Sequence, residues 1–279
     1  MSTGPIVVGT DGATRANLAV DRAGELGRAL GAEVHVVCAP SHLGGQDWPP
    51  RITAQQVVAE AEQRLRDEGV DVHTHIPKGD AALALAAVAE HVQAKLIVVG
   101  NRGMTGIGRF LGSLPDHVSH QARCDVMIVP TQARELAAFR GRPLVAGLDS
   151  PAVVPMVAEQ AIRLARALGG ELHIVSTSRE ADATLASVAA QAAEQGVDAL
   201  THTPTGGPTD AILSVAQAND AAIIVVGGKG MHAEDRERFG NVADKLSHDG
   251  SFSVLVVFAT AGEDSTQAGA VAAGAPAAP

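Results

Sequence analysis

An internal duplication is the feature that most constrains how this chain of 279 residues can fold. The twelve residues from Leu26, LGRALGAEVHVV, match the twelve from Leu164, LARALGGELHIV, at 8 positions, an offset of 138 residues. Earlier, VVGTD matches VAGLD at the same offset, and later LIVVGNRGM matches IIVVGGKGM at an offset of 127. The 11-residue difference corresponds to the turn-rich segment 41–50 of the first copy. This repeat indicates one α/β domain written twice.

Within each copy, short apolar runs alternate with helical patterns. In the first copy the runs predict strands at 6–8, 34–38, 70–76, 96–99 and 126–129. Helical patterns separate these runs: one ends at Gly31, the next ends near Gly69, a third covers about 80–92, and a last one precedes the final strand. Continuous apolar strands that alternate with helices predict a parallel sheet covered on both faces.

Two domains are expected, at 1–131 and 142–259, followed by an Ala/Gly/Pro-rich tail at 260–279 that we expect to be disordered. Net charge −10 and 2% aromatic residues argue against nucleic acid as a partner. With neither a signal peptide nor a run of about 18 apolar residues, we expect a cytoplasmic protein without a membrane partner. Cys38 and Cys124 lie in apolar stretches and are expected to be buried, reduced thiols.

A glycine-rich segment follows the fourth apolar run. It reads Gly100-Asn101-Arg102-Gly103, and eight residues later Gly112-Ser113 opens a helical pattern. Glycines let backbone N–H groups approach an anion, and a helix N-terminus supplies unpaired donors, so this loop is suited to phosphate. Ser113 has a second interpretation, because Ser113-x-x-Asp116 also reads as a helix cap.

Two charged positions recur in both copies. Arg102 aligns with Lys229, and a cation at either position is suited to phosphate or is simply a solvated loop residue. Asp11 and Asp149 each follow the first strand, where an acid is suited to bind ribose or adenine groups or to assist Mg²⁺; alternatively it caps the following helix.

From the sequence we expect neither a metal site nor a catalytic site. His73 and His75 share one strand face, but the sequence shows no nearby acid or cysteine to complete a tetrahedral set, so we expect no metal site and a structural role for these histidines. The chain has no GxxxxGK[ST] loop, no G-x-S-x-G elbow and no kinase motif set. We therefore predict no catalytic residues and a protein that is not an enzyme.

These motifs resemble the universal stress protein family in its tandem-domain actinobacterial form. The family pattern G-x2-G-x9-G-[ST] matches this chain with one residue fewer in the long spacer, and GNRGMTG, FLGS and SHQARCDVMIVP are typical of the family. The resemblance covers about 4–130 and 142–258. It implies two tandem Rossmann-like (adenine nucleotide alpha hydrolase-like) domains, each with a five-stranded parallel sheet flanked by helices, paired through their last strands.

The resemblance also implies ATP as the ligand, with or without Mg²⁺. In the first copy, the resemblance implies that Gly9, Thr10 and Asp11 face the nucleoside and that Ala39 lies beside the adenine. The residues implied to hold the ribose and phosphates are Val99, Gly100, Arg102, Gly103, Gly112, Ser113 and Leu114. The corresponding residues of the second copy are Gly147, Asp149, Gly227, Lys229, Gly230, Gly240 and Asn241.

The second copy departs from the pattern where phosphates would lie. Asn241 replaces the serine, and the loop 231–239 loses two glycines and gains three acids, which would repel phosphate. Asn241-x-x-Asp244 still predicts a helix cap. We therefore expect the first copy to bind ATP more tightly.

Three functions stay open from the sequence. The preferred one is a nucleotide-dependent regulator in stress or dormancy, which has an adenine nucleotide and an unidentified protein as partners. The second is a slow ATPase or autophosphorylating enzyme that uses Asp11 or Ser113, and the third is a nucleotide-free interaction module. ATP, ADP and cyclic AMP remain alternatives as ligand. The last strands, VMIVP and VLVVF, could pair within one chain as a pseudo-dimer or across chains in a homodimer.

Overall fold

The computed structural model describes residues 4–40, 53–101, 114–121, 123–130, 138–149, 151–178, 180–228 and 240–258. In the first copy the elements are β1 (Ile6–Gly9), α1 (Thr14–Leu30), β2 (Val34–Val37), α2 (Ala54–Asp67), β3 (Val72–His75), α3 (Ala81–His91), β4 (Leu96–Gly100), α4 (Leu114–Gln121) and β5 (Asp125–Val129). In the second copy they are β6 (Leu144–Gly147), α5 (Val154–Leu168), β7 (Leu172–Val175), α6 (Asp182–Glu194), β8 (Ala199–His202), α7 (Pro208–Ala218), β9 (Ile223–Gly227), α8 (Gly240–Asp249) and β10 (Ser253–Val257). The alternation predicted from the apolar runs is confirmed.

The first helix shows why the sequence folds this way. Ala19, Val20, Ala23 and Leu26 recur at helical spacing and are fully buried against the sheet. The helix ends where Gly31 adopts φ 64° and its N–H donates to the carbonyl of Gly27. This left-handed conformation favours glycine, so the predicted terminator acts as one.

All ten strands form one sheet in the order β3-β2-β1-β4-β5-β10-β9-β6-β7-β8. Within each copy every pairing is parallel, whereas β5 and β10 pair antiparallel at the centre. The expected five-stranded parallel sheets and their pairing through the last strands are therefore confirmed. In this structure the pairing takes place within one chain.

The antiparallel pairing of β5 with β10 joins the two copies, and we call it the seam. The residues at its centre are apolar. Met127 lies opposite Leu255, and Val126 and Ile128 lie opposite Val256 and Val254. All of these side chains are buried at 2% exposure or less. The seam therefore continues the two hydrophobic cores across the middle of the sheet.

A buried carboxylate lies on this seam and breaks its symmetry. Phe258, just after β10, donates its backbone N–H to Oδ1 of Asp125 at 3.1 Å. The repeat places Ser253 where the first copy has Asp125, and Pro130 where the second has Phe258. Because proline has no N–H, Ser253 lacks the corresponding donor, and its Oγ is buried with no hydrogen-bond partner among the described residues.

Replacing Asp125 by asparagine should raise stability at alkaline pH. Burial raises the pKa of Asp125 to about 7, against the opposing effects of the Phe258 N–H and nearby cations. Since the folded state keeps a proton that the unfolded state has lost, wild-type stability falls as the pH rises from about 4 to about 7. We expect Asp125→Asn to exceed the wild-type free energy of unfolding above pH 7, by up to about 4 kcal/mol, and to match it near pH 4.

Urea unfolding at pH 4, 6 and 8 measures this difference. Asp198→Asn, at an exposed position before β8, is the matched control and should leave the wild-type pH profile unchanged. Equal pH profiles for Asp125→Asn and wild type would contradict the assignment of a buried, protonated carboxyl at the seam.

The chain between the copies docks on the first one. Phe139 is 2% exposed, and its ring lies 5.1 Å from the guanidinium carbon of Arg22. Glu25, also buried, pairs with Arg22 at 2.7 Å and accepts the backbone N–H of Arg140 at 2.8 Å. The last residues before β6 are thus held by both apolar and polar contacts. The domain boundaries at 131 and 142 stay predictions, and the tail 260–279 lies outside the described residues.

The expectation that no acid lies near the strand histidines is wrong, whereas the expectation that they bind no metal stays a prediction. Glu33, which immediately precedes β2, lies 3.3 Å from His35 and 3.4 Å from His73. An acid is therefore close to the paired strand histidines, although 40 residues separate it from His73 in the sequence. The parallel register places it there, because His35 lies opposite His73.

Among the described helices, none is both long enough and apolar enough to cross a membrane.

Candidate functional site

The candidate site lies at the edge where the first copy's central strands end. The parallel register pairs Gly9 with Val37, and β4 ends beside β1 at Gly100. Beyond these ends the ladder continues by one bond, since Thr10 donates its N–H to the carbonyl of Val37 at 2.9 Å. Ligands of open α/β sheets bind beyond such carboxyl ends.

Asp11 is the charged side chain at this edge. Its Oδ1 accepts the N–H of Ala13 at 2.9 Å, which fixes the turn into α1. Among the described residues this is the only hydrogen bond that the Asp11 side chain makes. The turn is further fixed by Gly12, which has φ 76° and donates its N–H to Oγ1 of Thr10. Asp11 therefore serves as a turn residue and still has carboxylate lone pairs to offer a ligand.

The nearest cysteine is not an activated nucleophile. Cys38 follows β2 and is fully buried. Burial, and then the nearby charge of Asp11, raise the pKa of its thiol to about 11. At neutral pH the group is a protonated thiol, and the thiolate is the reactive form of cysteine.

In the second copy the equivalent acid is already bonded to its neighbours. Oδ1 of Asp149 accepts the backbone N–H of Thr177 at 2.6 Å, the Thr177 hydroxyl at 2.8 Å and the Ser176 hydroxyl at 3.2 Å. We call this set of three bonds the Asp149 clamp. A ligand would have to compete with these donors for that oxygen.

The clamp exists because the two copies differ at two positions. At the offset of 138, Ser176 and Thr177 align with Cys38 and Ala39 of the first copy. Neither Cys38 nor Ala39 carries a hydroxyl, so Asp11 has no corresponding side-chain donors. These two hydroxyl residues were not among the predicted site residues, although the repeat alignment contained the signal.

Several predicted glycines have a packing role in the described structure. A Cβ on Gly9 would lie 3.1 Å from Leu85, and one on Gly147 would lie 2.6 Å from Ile212. A Cβ on Gly227 would lie 2.6 Å from Val153. Close helix–strand approach thus accounts for these glycines, whether or not a ligand is bound.

The start of α8 falls at the Gly240-Asn241 pair that the sequence singled out. The helix begins at Gly240, which has φ 73°, a conformation that favours glycine. The helix cap predicted at Asn241 stays a prediction.

The remaining predicted positions divide into two groups. Val99 is buried, and Gly100 and Leu114 are half-buried on either side of the glycine-rich loop. The other predicted residues of the phosphate loops lie outside the described residues: Arg102, Gly103, Gly112, Ser113, Lys229 and Gly230.

We expect the first copy to bind ATP, and transferring the clamp to it should then weaken that binding. Ala39→Thr places a hydroxyl where Thr177 stands in the second copy, so it can bond to Asp11. We expect ATP affinity to fall about tenfold further than in Ala39→Val, which has the same shape but no hydroxyl. Calorimetric titration of the two full-length variants measures the difference. Equal affinities would mean that the clamp does not control the site.

Comparison with known proteins assigns the family. The model of the universal stress protein family matches residues 3–130 and 177–257. The chain belongs to this family, and the two matched segments fit a tandem arrangement. The second match begins at Thr177, so it omits the part of the second copy that carries Asp149 and Ser176.

Individual relatives agree with this assignment. Universal stress protein Rv1636 of Mycobacterium tuberculosis is 33% identical over 142 residues, covering 45% of this chain and 95% of that protein. A universal stress protein structure from Archaeoglobus fulgidus has a TM-score of 0.75 at 20% identity, covering 93% of this chain and 98% of that one, which shows a shared fold. A structure of a universal stress protein in complex with cAMP is 32% identical, covers 47% of this chain and all of that one, and has a TM-score of 0.39.

Proposed function

We propose that this universal stress protein binds an adenine nucleotide in its first copy and acts as a nucleotide-dependent regulator. The observation that carries the proposal is the Asp11 carboxylate. It lies at the carboxyl edge of β1, β2 and β4 and has hydrogen-bonding capacity left for a ligand. Ribose hydroxyls and the adenine amino group are donors that a carboxylate accepts.

The glycine-rich loop complements Asp11. It begins directly after β4, the neighbour of β1 in the sheet, so it starts on the same edge. Its sequence supplies backbone N–H groups and Arg102 for phosphates. A nucleoside end near Asp11 and Ala39, with phosphates toward this loop, matches the chemistry of ATP.

A regulator accounts for the site chemistry better than an enzyme does. Of the described groups beside Asp11, the cysteine is a protonated thiol, and no residue pair there has the arrangement of a nucleophile with its base. Regulation requires only that ATP bind two states of the protein with different affinity. The antiparallel seam offers a physical connection, because β4 pairs with β5 and β5 pairs with the second copy.

The ligand itself can be identified directly. Mass spectrometry of the small molecules released when the purified protein is denatured should detect an adenine nucleotide, and titration of nucleotide-free protein should rank ATP, ADP and cAMP. Absence of a carried ligand, together with no binding of any of the three, would overturn the proposal in favour of a nucleotide-free interaction module.

Turnover distinguishes the regulator from the enzyme. We expect steady-state phosphate release from ATP to stay far below the ~10 per second of a median enzyme. Turnover near that rate that is abolished by Asp11→Asn would instead favour the ATPase.

A further inference from the structure

We propose that Glu33, His35 and His73 form a zinc site at the outer edge of the first copy's sheet. One ligand atom from each residue lies within 4.8 Å of the others. Two imidazole nitrogens and a carboxylate are a ligand set that suits zinc, with water in the remaining position. This site is separate from the proposed nucleotide site and does not depend on it.

The strands bring these ligands together. His35 and His73 are register partners on adjacent parallel strands, and their rings stack at 4.8 Å between centroids. Glu33 lies two residues before His35 and reaches both Nε2 atoms, at 3.3 Å and 3.4 Å. The cluster lies toward the amino ends of β2 and β3, whereas Asp11 lies beyond the carboxyl end of β1.

The buried histidine has a ring nitrogen that is suited to bind a cation. The His35 side chain is 8% exposed, and its Nε2 has no hydrogen-bond partner with acceptable geometry among the described residues. Its other ring nitrogen, Nδ1, lies 2.9 Å from Nε2 of His75. If Nδ1 donates to His75, Nε2 carries a lone pair directed toward the Glu33 carboxylate. A metal ion between these groups would satisfy both lone pairs.

His75 then acts as a positioning residue. Metal-binding histidines use their second nitrogen to hydrogen-bond an outer partner, which fixes the ring and its tautomer. The His35–His75 hydrogen bond is of this kind. An ion can reach these ligands from solvent, because the side chains of Glu33 and His73 are 40% and 50% exposed, while His35 lies behind them.

The second copy supplies a natural control. Glu171, His173 and His202 repeat Glu33, His35 and His75, and the His173–His202 contact is again 2.9 Å. The position of His73 is taken by Leu200, which is 49% exposed and provides no ligand. The second copy therefore keeps the positioning pair but lacks the third ligand. One zinc ion per chain is expected.

Zinc titration of the metal-stripped, full-length protein tests the site. Wild type should bind one Zn²⁺ tightly, and His73→Leu, which copies the second repeat, should bind at least about 10- to 100-fold more weakly, since even outer-partner changes have that effect. His73→Gln serves as a second variant that keeps a polar side chain at this strand position. Leu200→His should add a second equivalent. Co²⁺ as a probe should give the intense visible absorption of a four-coordinate site in wild type and in Leu200→His, but not in the two His73 variants.

No zinc binding by wild type, or equal affinity in wild type and both His73 variants, would overturn the proposal and leave the histidines with a structural role. A single equivalent in Leu200→His would contradict the claim that the third ligand is what distinguishes the copies.

Discussion

Replacing Asp11 by alanine is expected to weaken ATP binding about 10- to 100-fold, whereas the same change at Asp149 should alter it by less than about twofold. The difference follows from the partners of the two carboxylates. Among the described residues, the Asp11 side chain makes one hydrogen bond, to its own turn, and its other lone pairs can accept from the nucleoside. Asp149 is held by the Asp149 clamp.

Calorimetric titration of ATP into the two full-length variants measures the effect, and unfolding curves provide the control. The Asp149 variant loses three internal bonds and should be the less stable of the two, although it retains ATP affinity. If loss of stability caused the loss of ATP affinity, the Asp149 variant would bind ATP more weakly than the Asp11 variant. If loss of a ligand contact caused it, the Asp11 variant would bind more weakly. Equal losses of affinity in both variants would contradict the assignment of the principal site to the first copy.

Replacing Phe139 by alanine is expected to lower the free energy of unfolding by about 3–5 kcal/mol, the usual cost of truncating a buried aromatic side chain. The ring is buried beneath Arg22 of the first copy, next to Arg140, whose backbone N–H bonds to Glu25. Truncation therefore leaves a cavity and weakens a neighbouring ion pair.

Urea unfolding measures this change, with Leu83→Ala as control because Leu83 is 56% exposed. The control should stay within about 0.5 kcal/mol of wild type, as surface substitutions generally do. A Phe139 variant as stable as the control would show that the link between the copies does not contribute to the core.

The fold was largely predictable from the sequence because its signals are local. Helical spacing from Ala19 to Leu26 and the terminator Gly31 define α1, and the apolar runs define the strands. The pairing of β5 with β10 was open, since an unpaired edge can be covered by either the same chain or another. The register that places Met127 opposite Leu255 resolves it within this chain.

Parts of the two sites were missed because they depend on contacts between distant segments. Glu33 and His73 are separated by 40 residues and meet only through the β2–β3 register. The Asp149 clamp joins residues on two strand ends, so periodicity along one segment could not reveal it. The sequence feature that could have revealed the clamp is the replacement of Cys38 and Ala39 by hydroxyl residues in the second copy.

We propose that duplication produced two unequal sites, one available to ATP and one occupied by its own side chains. The most direct test is the stoichiometry of ATP binding to nucleotide-free, full-length protein, measured by equilibrium dialysis across a wide concentration range. We predict one tight equivalent per chain, which Asp11→Ala removes and Asp149→Ala retains. Two equivalents of equal affinity, or one that depends on Asp149, would contradict it.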